Sequence, residues 1–148
     1  MATLFLICGL PGSGKTTLAK RLEQEHSALR FTPDEWIAAL GLDPFDDAKR
    51  AAVEAEQWRL AARALQLGVD VVLDFGVWSR SERDSFRQRA RTAGARTVLH
   101  FLDVPREELR RRLKARSAER APGAVDVDDA QLDSYIAWLE RPTPEELA

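Results

Sequence analysis

The sequence predicts a three-layer α/β fold, with helices covering both faces of a parallel sheet of four or five strands. Three observations carry this reading. Short apolar runs recur at Thr3–Cys8 (TLFLIC), 69–75 (VDVVLDF) and 97–102 (TVLHFL), too continuous for strands with one wet face. Segments with helical punctuation separate them, so strand and helix alternate. A glycine-rich stretch follows the first run directly, and open parallel sheets hold their ligands at the carboxyl ends of their strands.

In order along the chain, Thr3–Cys8 is a buried strand, residues 9–16 a loop, and the following segment a helix. Residues 28–32 read as a short edge strand. Thr32, Pro33 and Glu35 then supply a capping box with proline at the first helical position, opening a helix over 33–40. A helix over 47–67 stops at Gly68, and one over 80–93 stops at Gly94, with Ser79 and Glu82 as a second capping box. Pro105 opens a helix to about 118, residues 121–129 (APGAVDVDD) form a loop, and 128–139 the last helix. With 148 residues and neither repeat nor linker, one domain spanning 1–148 is expected.

The formal charge is -2 and the isoelectric point about 5.8, so no global positive field exists to attract a nucleic-acid backbone or an anionic membrane. Any anion site must be local. Cys8 is the sole cysteine and lies in an apolar run, which excludes a disulfide within the chain and reads as a small core residue more than as a nucleophile. The same run is too short for a signal-peptide core or a membrane span, so a cytoplasmic protein is expected. His26 and His100 have no metal-binding spacing and read as structural.

Residues 9–16, GLPGSGKT, satisfy G-x-x-x-x-G-K-[ST] in the required place between strand and helix. The glycines free backbone N–H groups to wrap phosphates, and the next helix aims its positive end at them. Lys15 reaches the β and γ phosphates and Thr16 offers a hydroxyl to magnesium. Gly12, Ser13, Gly14, Lys15, Thr16 and Thr17 are therefore the expected ATP-binding residues, with Thr16 holding Mg2+. Reading guanine takes an Asn/Thr-Lys-x-Asp element, yet the chain has no asparagine and no Thr-Lys pair, which disfavours a GTP switch. Many ATPases place a glutamate after the aspartate of a VVLD-like strand, where it activates water. Here Phe75 follows Asp74, which favours transfer to a substrate over hydrolysis.

Taken together, GLPGSGKTTLA, FTPDEW, VVLDFGVWSRSERD and FLDVPREELRRRLKAR resemble the small P-loop kinases. These include the kinase domain of phage polynucleotide kinase, zeta-type toxins and chloramphenicol phosphotransferase. The resemblance covers nearly the whole chain and implies a P-loop nucleoside-triphosphate hydrolase fold of nucleotide-kinase type. It also implies ATP-dependent transfer of the γ-phosphate to a hydroxyl. By it, Asp34 is the base that takes the proton of the attacking hydroxyl, although an acid in the first turn of a helix is favourable without any catalytic task. Asp74 matches an aspartate that touches substrate or magnesium-bound water; the plainer reading is a strand-end carboxylate capping a loop.

Arg112, Arg116 and Arg120 recur every four residues beside an inward stripe of Leu109 and Leu113. They resemble a lid that closes over ATP, with Arg116 stabilising the migrating phosphoryl group and Arg112 stacking on adenine. The alternative is a solvated face paired with Glu108 and Glu119. Trp36 and Trp78 lie near Asp34 and Asp74 and could stack on an acceptor, while Arg80 and Arg83 could hold an anionic substituent of it; core packing is the competing role for the tryptophans, Trp58 included. A small hydroxylated acceptor is expected. A 5′-hydroxyl polynucleotide kinase is the enzymatic alternative, disfavoured by the acidic chain and by Ile37 where that enzyme has a substrate-facing arginine. An ATP-dependent regulatory switch is the alternative outside catalysis.

Overall fold

The computed structural model describes residues 1–119 and 126–147. Its sheet has four parallel strands, β1 (Thr3–Cys8), β2 (Leu29–Phe31), β3 (Val71–Gly76) and β4 (Arg96–Phe101), in the order β2-β3-β1-β4. The two central strands are the most apolar and the most buried. Every residue of β1 is buried, which is why its sequence shows no polar alternation. The short β2 lies at an edge, as its weak apolar character suggested.

Seven helices are present among the described residues: α1 (Lys15–His26), α2 (Pro33–Ala39), α3 (Asp47–Gln66), α4 (Arg80–Thr92), α5 (Arg106–Glu119), α6 (Asp129–Trp138) and α7 (Pro144–Leu147). Alternate residues of β1 point to opposite faces and divide the core. Phe5 and Ile7 meet Leu18, Ala19 and Leu22 of α1, while Leu4, Leu6 and Cys8 meet Ala61, Ala64 and Leu65 of α3 and Phe86 and Ala90 of α4. A third cluster joins Leu109 and Leu113 of α5 to Leu132 of α6 and to Leu10 in the glycine loop. The expected inward stripe of α5 is thus seated on the loop itself. Arg120 and residues 121–125 of the expected loop lie outside the described residues, and Asp128 caps α6 through a complete capping box with Gln131.

Helices that connect parallel strands run antiparallel to them, so the N-termini of α1, α3 and α4 lie at the sheet's carboxyl edge. The short α7 was not anticipated. It covers the start of α4 through Glu146, whose carboxylate meets Arg83 at 2.8 Å and Arg87 at 2.7 Å.

Candidate active site

At the end of β1 the chain turns through Gly12 and Gly14, whose φ values of 83° and 92° lie where side-chain-bearing residues rarely go. Gly9 is needed for a different reason, because a Cβ there would stand 2.5 Å from Ser13 Oγ and 3.1 Å from Lys15 Cγ. The loop is a closed cradle. Helix α1 starts from Gly14 with no side-chain cap and no acid in its first turn, whereas α3, α4 and α6 are capped by Asp46, Ser79 and Asp128. Its first N–H groups and its dipole are thereby left for an anion. Ser13 Oγ is buried without a partner among the described residues, as phosphate contact would require. Thr17 is exposed on the first turn.

Asp74 is buried near the carboxyl end of β3 and accepts hydrogen bonds at Oδ2 from Thr16 Oγ1 (2.8 Å) and Thr32 Oγ1 (3.1 Å), while Oδ1 is buried with no partner among the described residues. A hydroxyl beside a half-satisfied buried carboxylate, at the mouth of a phosphate cradle, is a donor set that suits a hard divalent cation with oxygen ligands. No group of three or more His, Cys, Asp or Glu side chains suited to a metal gathers among the described residues. Burial raises the Asp74 pKa against the opposing pull of Lys15, Thr16 and Thr32.

Lys15 makes no ion pair among the described residues. Burial lowers its pKa, Asp74 and Asp34 pull it back up, and Arg116 and Arg50 push it further down. One ammonium therefore senses Asp34, Asp74 and Arg116 together, three residues that come from three separate segments. Arg116 is exposed and unpaired among the described residues. Arg112 reaches the loop directly, its Nη1 donating to the Gly12 carbonyl at 3.3 Å while Nε holds Glu108 at 2.9 Å. Its guanidinium therefore lies at the phosphate loop, and its pairing with Glu108 is the contact expected of a solvated face as well.

Asp34 is half-exposed on the first turn of α2 and forms an ion pair with Arg50 of α3. Arg50 escaped sequence reasoning, because nothing local to it marks a partner 16 positions away.

Four expectations are corrected by geometry. The Thr32 side chain makes no cap bond, because its hydroxyl is drawn to Asp74 and accepts from Arg30 at 2.7 Å, while Glu35 pairs with Arg30 instead of closing the box. The Ser79 and Glu82 box forms only its first arm, with Ser79 accepting from the Glu82 N–H. Arg83 is fully buried and is committed to Glu146 and to the carbonyls of Val77 and Trp78, so its guanidinium is not left for an acceptor, while Arg80, 42% exposed, pairs with Asp84 and Glu146. Trp78 folds back toward the loop, donating from Nε1 to the Gly9 carbonyl at 2.9 Å with its ring against Tyr135, which is the core-packing role. This return is made possible by positive φ at Gly76 (86°) and, with strain, at Val77 (36°).

Trp36 is half-buried, edge-on to Phe31 at 6.0 Å between centroids, and Trp58 packs on Phe86. Cys8 is a core thiol whose pKa burial pushes up to about 11, and His26 and His100 flank the Phe5 ring. No helix among the described residues is long and apolar enough to cross a membrane.

A family model described as AAA domain matches residues 4–142. Among solved structures, the chain is similar to a putative kinase from Chloroflexus aurantiacus (22% identity, 97% of this chain and 83% of the other, TM-score 0.74). It is similar to a gluconokinase from Sinorhizobium meliloti (20%, 97% and 77%, TM-score 0.64). A chain of the Pnkp1/Rnl/Hen1 RNA repair complex matches at 22% identity over 93% of this chain and 44% of its own length, with a TM-score of 0.74. At such identities these likenesses show the fold alone, a P-loop nucleoside-triphosphate hydrolase fold.

Proposed function

The chain belongs to the AAA domain family, and on that premise we propose that it is an ATP-dependent kinase that phosphorylates a hydroxyl group of a small molecule. The observation that carries the proposal is the uncapped, acid-free start of α1 at the glycine loop, with Thr16 hydrogen-bonded to the buried Asp74 and Asp34 standing on the first turn of α2 paired to Arg50. A nucleotide-binding loop alone would suit a switch. An exposed carboxylate oriented by Arg50 beside that loop adds a base aimed at a second substrate.

In this reading the loop N–H groups, Ser13 and Lys15 hold the phosphates of ATP, and Arg112 steadies the loop from above. Mg2+, held through Thr16 and the Asp74 carboxylate, would offset charge on the phosphate oxygens. Asp34 accepts the acceptor's hydroxyl proton as its oxygen bonds to the γ-phosphorus and the bond to the ADP oxygen breaks. Arg116 brings a positive charge that the transferring group meets as it moves. Phe75, following Asp74, leaves no carboxylate there to activate water.

The relatives' names differ over the acceptor, a gluconokinase on one side and an RNA repair complex on the other. The acidic chain favours the small molecule, since a strand needs a basic groove that tracks several phosphates. The test supplies labelled ATP with a library of hydroxylated metabolites or with 5′-hydroxyl oligonucleotides at equal concentration. Label on small molecules is expected. Efficient, salt-sensitive labelling of oligonucleotides would replace this reading with the polynucleotide kinase, and rapid ATP turnover indifferent to every acceptor would favour the switch.

A further inference from the structure

Arg30 lies on the short edge strand β2, yet its side chain is only 14% exposed. Strand alternation sends Phe31 into the core shared with α3 and α4, and puts Arg30 and the still-extended Thr32 on the opposite face, toward α1. There Arg30 is held from two sides. Its Nε meets Glu23 of α1 at 3.3 Å and its Nη1 meets Glu35 of α2 at 3.0 Å.

The same Nη1 donates to Thr32 Oγ1 at 2.7 Å, Thr32 Oγ1 lies 3.1 Å from Asp74 Oδ2, and that oxygen also accepts from Thr16 Oγ1 at 2.8 Å. A guanidinium has donors only, so the Thr32 oxygen accepts from Arg30 and its single proton points to Asp74. The direction of every bond in the row follows. Asp74 Oδ2 accepts twice, and Thr16 donates to it while keeping its own lone pairs. Asp74 Oδ1, buried with no partner among the described residues, keeps its lone pairs as well. Two oxygens with free lone pairs are what a hard divalent cation takes as ligands. Without Arg30 the row loses its direction, because Thr32 stands at the N-cap of α2, where the first N–H groups of the helix compete for its oxygen.

We propose that Arg30 is a positioning residue for the divalent cation of the phosphate loop, acting through Thr32 to fix the hydrogen-bond direction at Asp74 and so the lone pairs of Thr16 and Asp74 that the cation meets. Its polar contacts among the described residues are Glu23, Glu35 and Thr32, so the Thr32 hydroxyl is its route to the site. Because two carboxylates offset its charge, Arg30 directs Thr32 without opposing a cation through its own field. This rests on the reading of Thr16 and Asp74 as the residues that hold the cation.

The experiment uses the full chain and measures binding of a nonhydrolysable ATP analogue by calorimetry, first without divalent cation and then across a Mg2+ titration, beside the melting temperature. R30M and T32V should each raise the Mg2+ concentration for half-maximal tightening by about tenfold, and leave metal-free binding within about twofold of wild type. The R30M/T32V double variant should be no weaker than the weaker single, since the two residues act in series. T32S keeps the hydroxyl and should restore the wild-type Mg2+ dependence. R30K keeps a cation between the two glutamates but not the fork that also meets Thr32, so it should show the Mg2+ shift with a smaller loss of melting temperature and decides the matter if R30M does not fold. E23Q removes an ion pair and keeps the Arg30–Thr32 bond, so it should lower the melting temperature alone. A Mg2+ dependence within about twofold of wild type in the Arg30 variants would leave Arg30 a support of the fold and overturn the proposal, as would effects that multiply in the double variant. Nucleotide binding by the wild type that is indifferent to Mg2+ would sink the reading of Thr16 and Asp74, and the proposal with it.

Discussion

Replacing Glu146 with glutamine should loosen the support beneath the phosphate loop. The Glu146 side chain is 2% exposed and that of Arg83 0%, and they meet at 2.8 Å. Arg87 donates to the same carboxylate at 2.7 Å and the Thr143 N–H at 2.9 Å. Arg83 then donates to the Val77 and Trp78 carbonyls, clamping the strained turn that sends Trp78 to Gly9. Burial alone would raise the Glu146 pKa, but hydrogen bonds from Arg83 and Arg87 overcome it and hold the group at about 2, below its ordinary 4.5. That depression corresponds to roughly 3 kcal/mol of stability at neutral pH. Removing one partner of a buried pair costs about 3–5 kcal/mol, so the two routes agree on about 3. For a domain of this size the melting temperature should fall by roughly 6–12 °C. Because the folded pKa lies below the unfolded one, the contribution is complete above about pH 4.5 and fades as pH falls toward 2. Thermal and urea unfolding of wild type and E146Q from pH 7 downward measures both, with the exposed Glu145→Gln as control. A variant within about 2 °C of wild type at pH 7, with the same acid profile, would refute the clamp.

Lys15→Ala should abolish transfer and weaken ATP binding, because the loop loses the ammonium that meets the phosphates; unchanged single-turnover rates would remove the loop from the chemistry. Asp34→Asn should leave ATP affinity nearly intact and slow transfer by about two to four orders of magnitude, the range for losing a general base. Turnover within a few fold of wild type would leave Asp34 a helix-end carboxylate. Arg116→Ala should lower the chemical step more than ATP affinity, and rapid-quench kinetics beside equilibrium titration separates the two. A weaker affinity with an unaltered maximal rate would assign Arg116 to ground-state binding.

Local chemistry made much of this molecule legible. The run Thr3–Cys8, the glycines of the loop and the stops at Gly68 and Gly94 depend on neighbours a few residues away, and the structure keeps each. Asp34 and Asp74 could be singled out by position, at the tip of a helix and near the tip of a strand. Their partners could not. Thr32 had the composition of a cap, but its hydroxyl finds a buried carboxylate 42 positions away, and a charged acceptor in a dry site outcompetes a backbone N–H. Arg80 and Arg83 looked free for an anion because Glu146, more than 60 positions on, is distant in sequence and sits in a helix of four residues.

The order of strands and helices, the phosphate-binding loop and the chemical types available at the carboxyl edge were determined by the sequence itself, because periodicity, capping and backbone freedom are short-range. Tertiary structure decided who pairs with whom: Arg50 with Asp34, Glu146 with Arg83, Trp78 with Gly9, and Gln57 with no described residue. A polar side chain takes the best partner that packing brings within about 3 Å, and packing brings together residues that no local pattern relates.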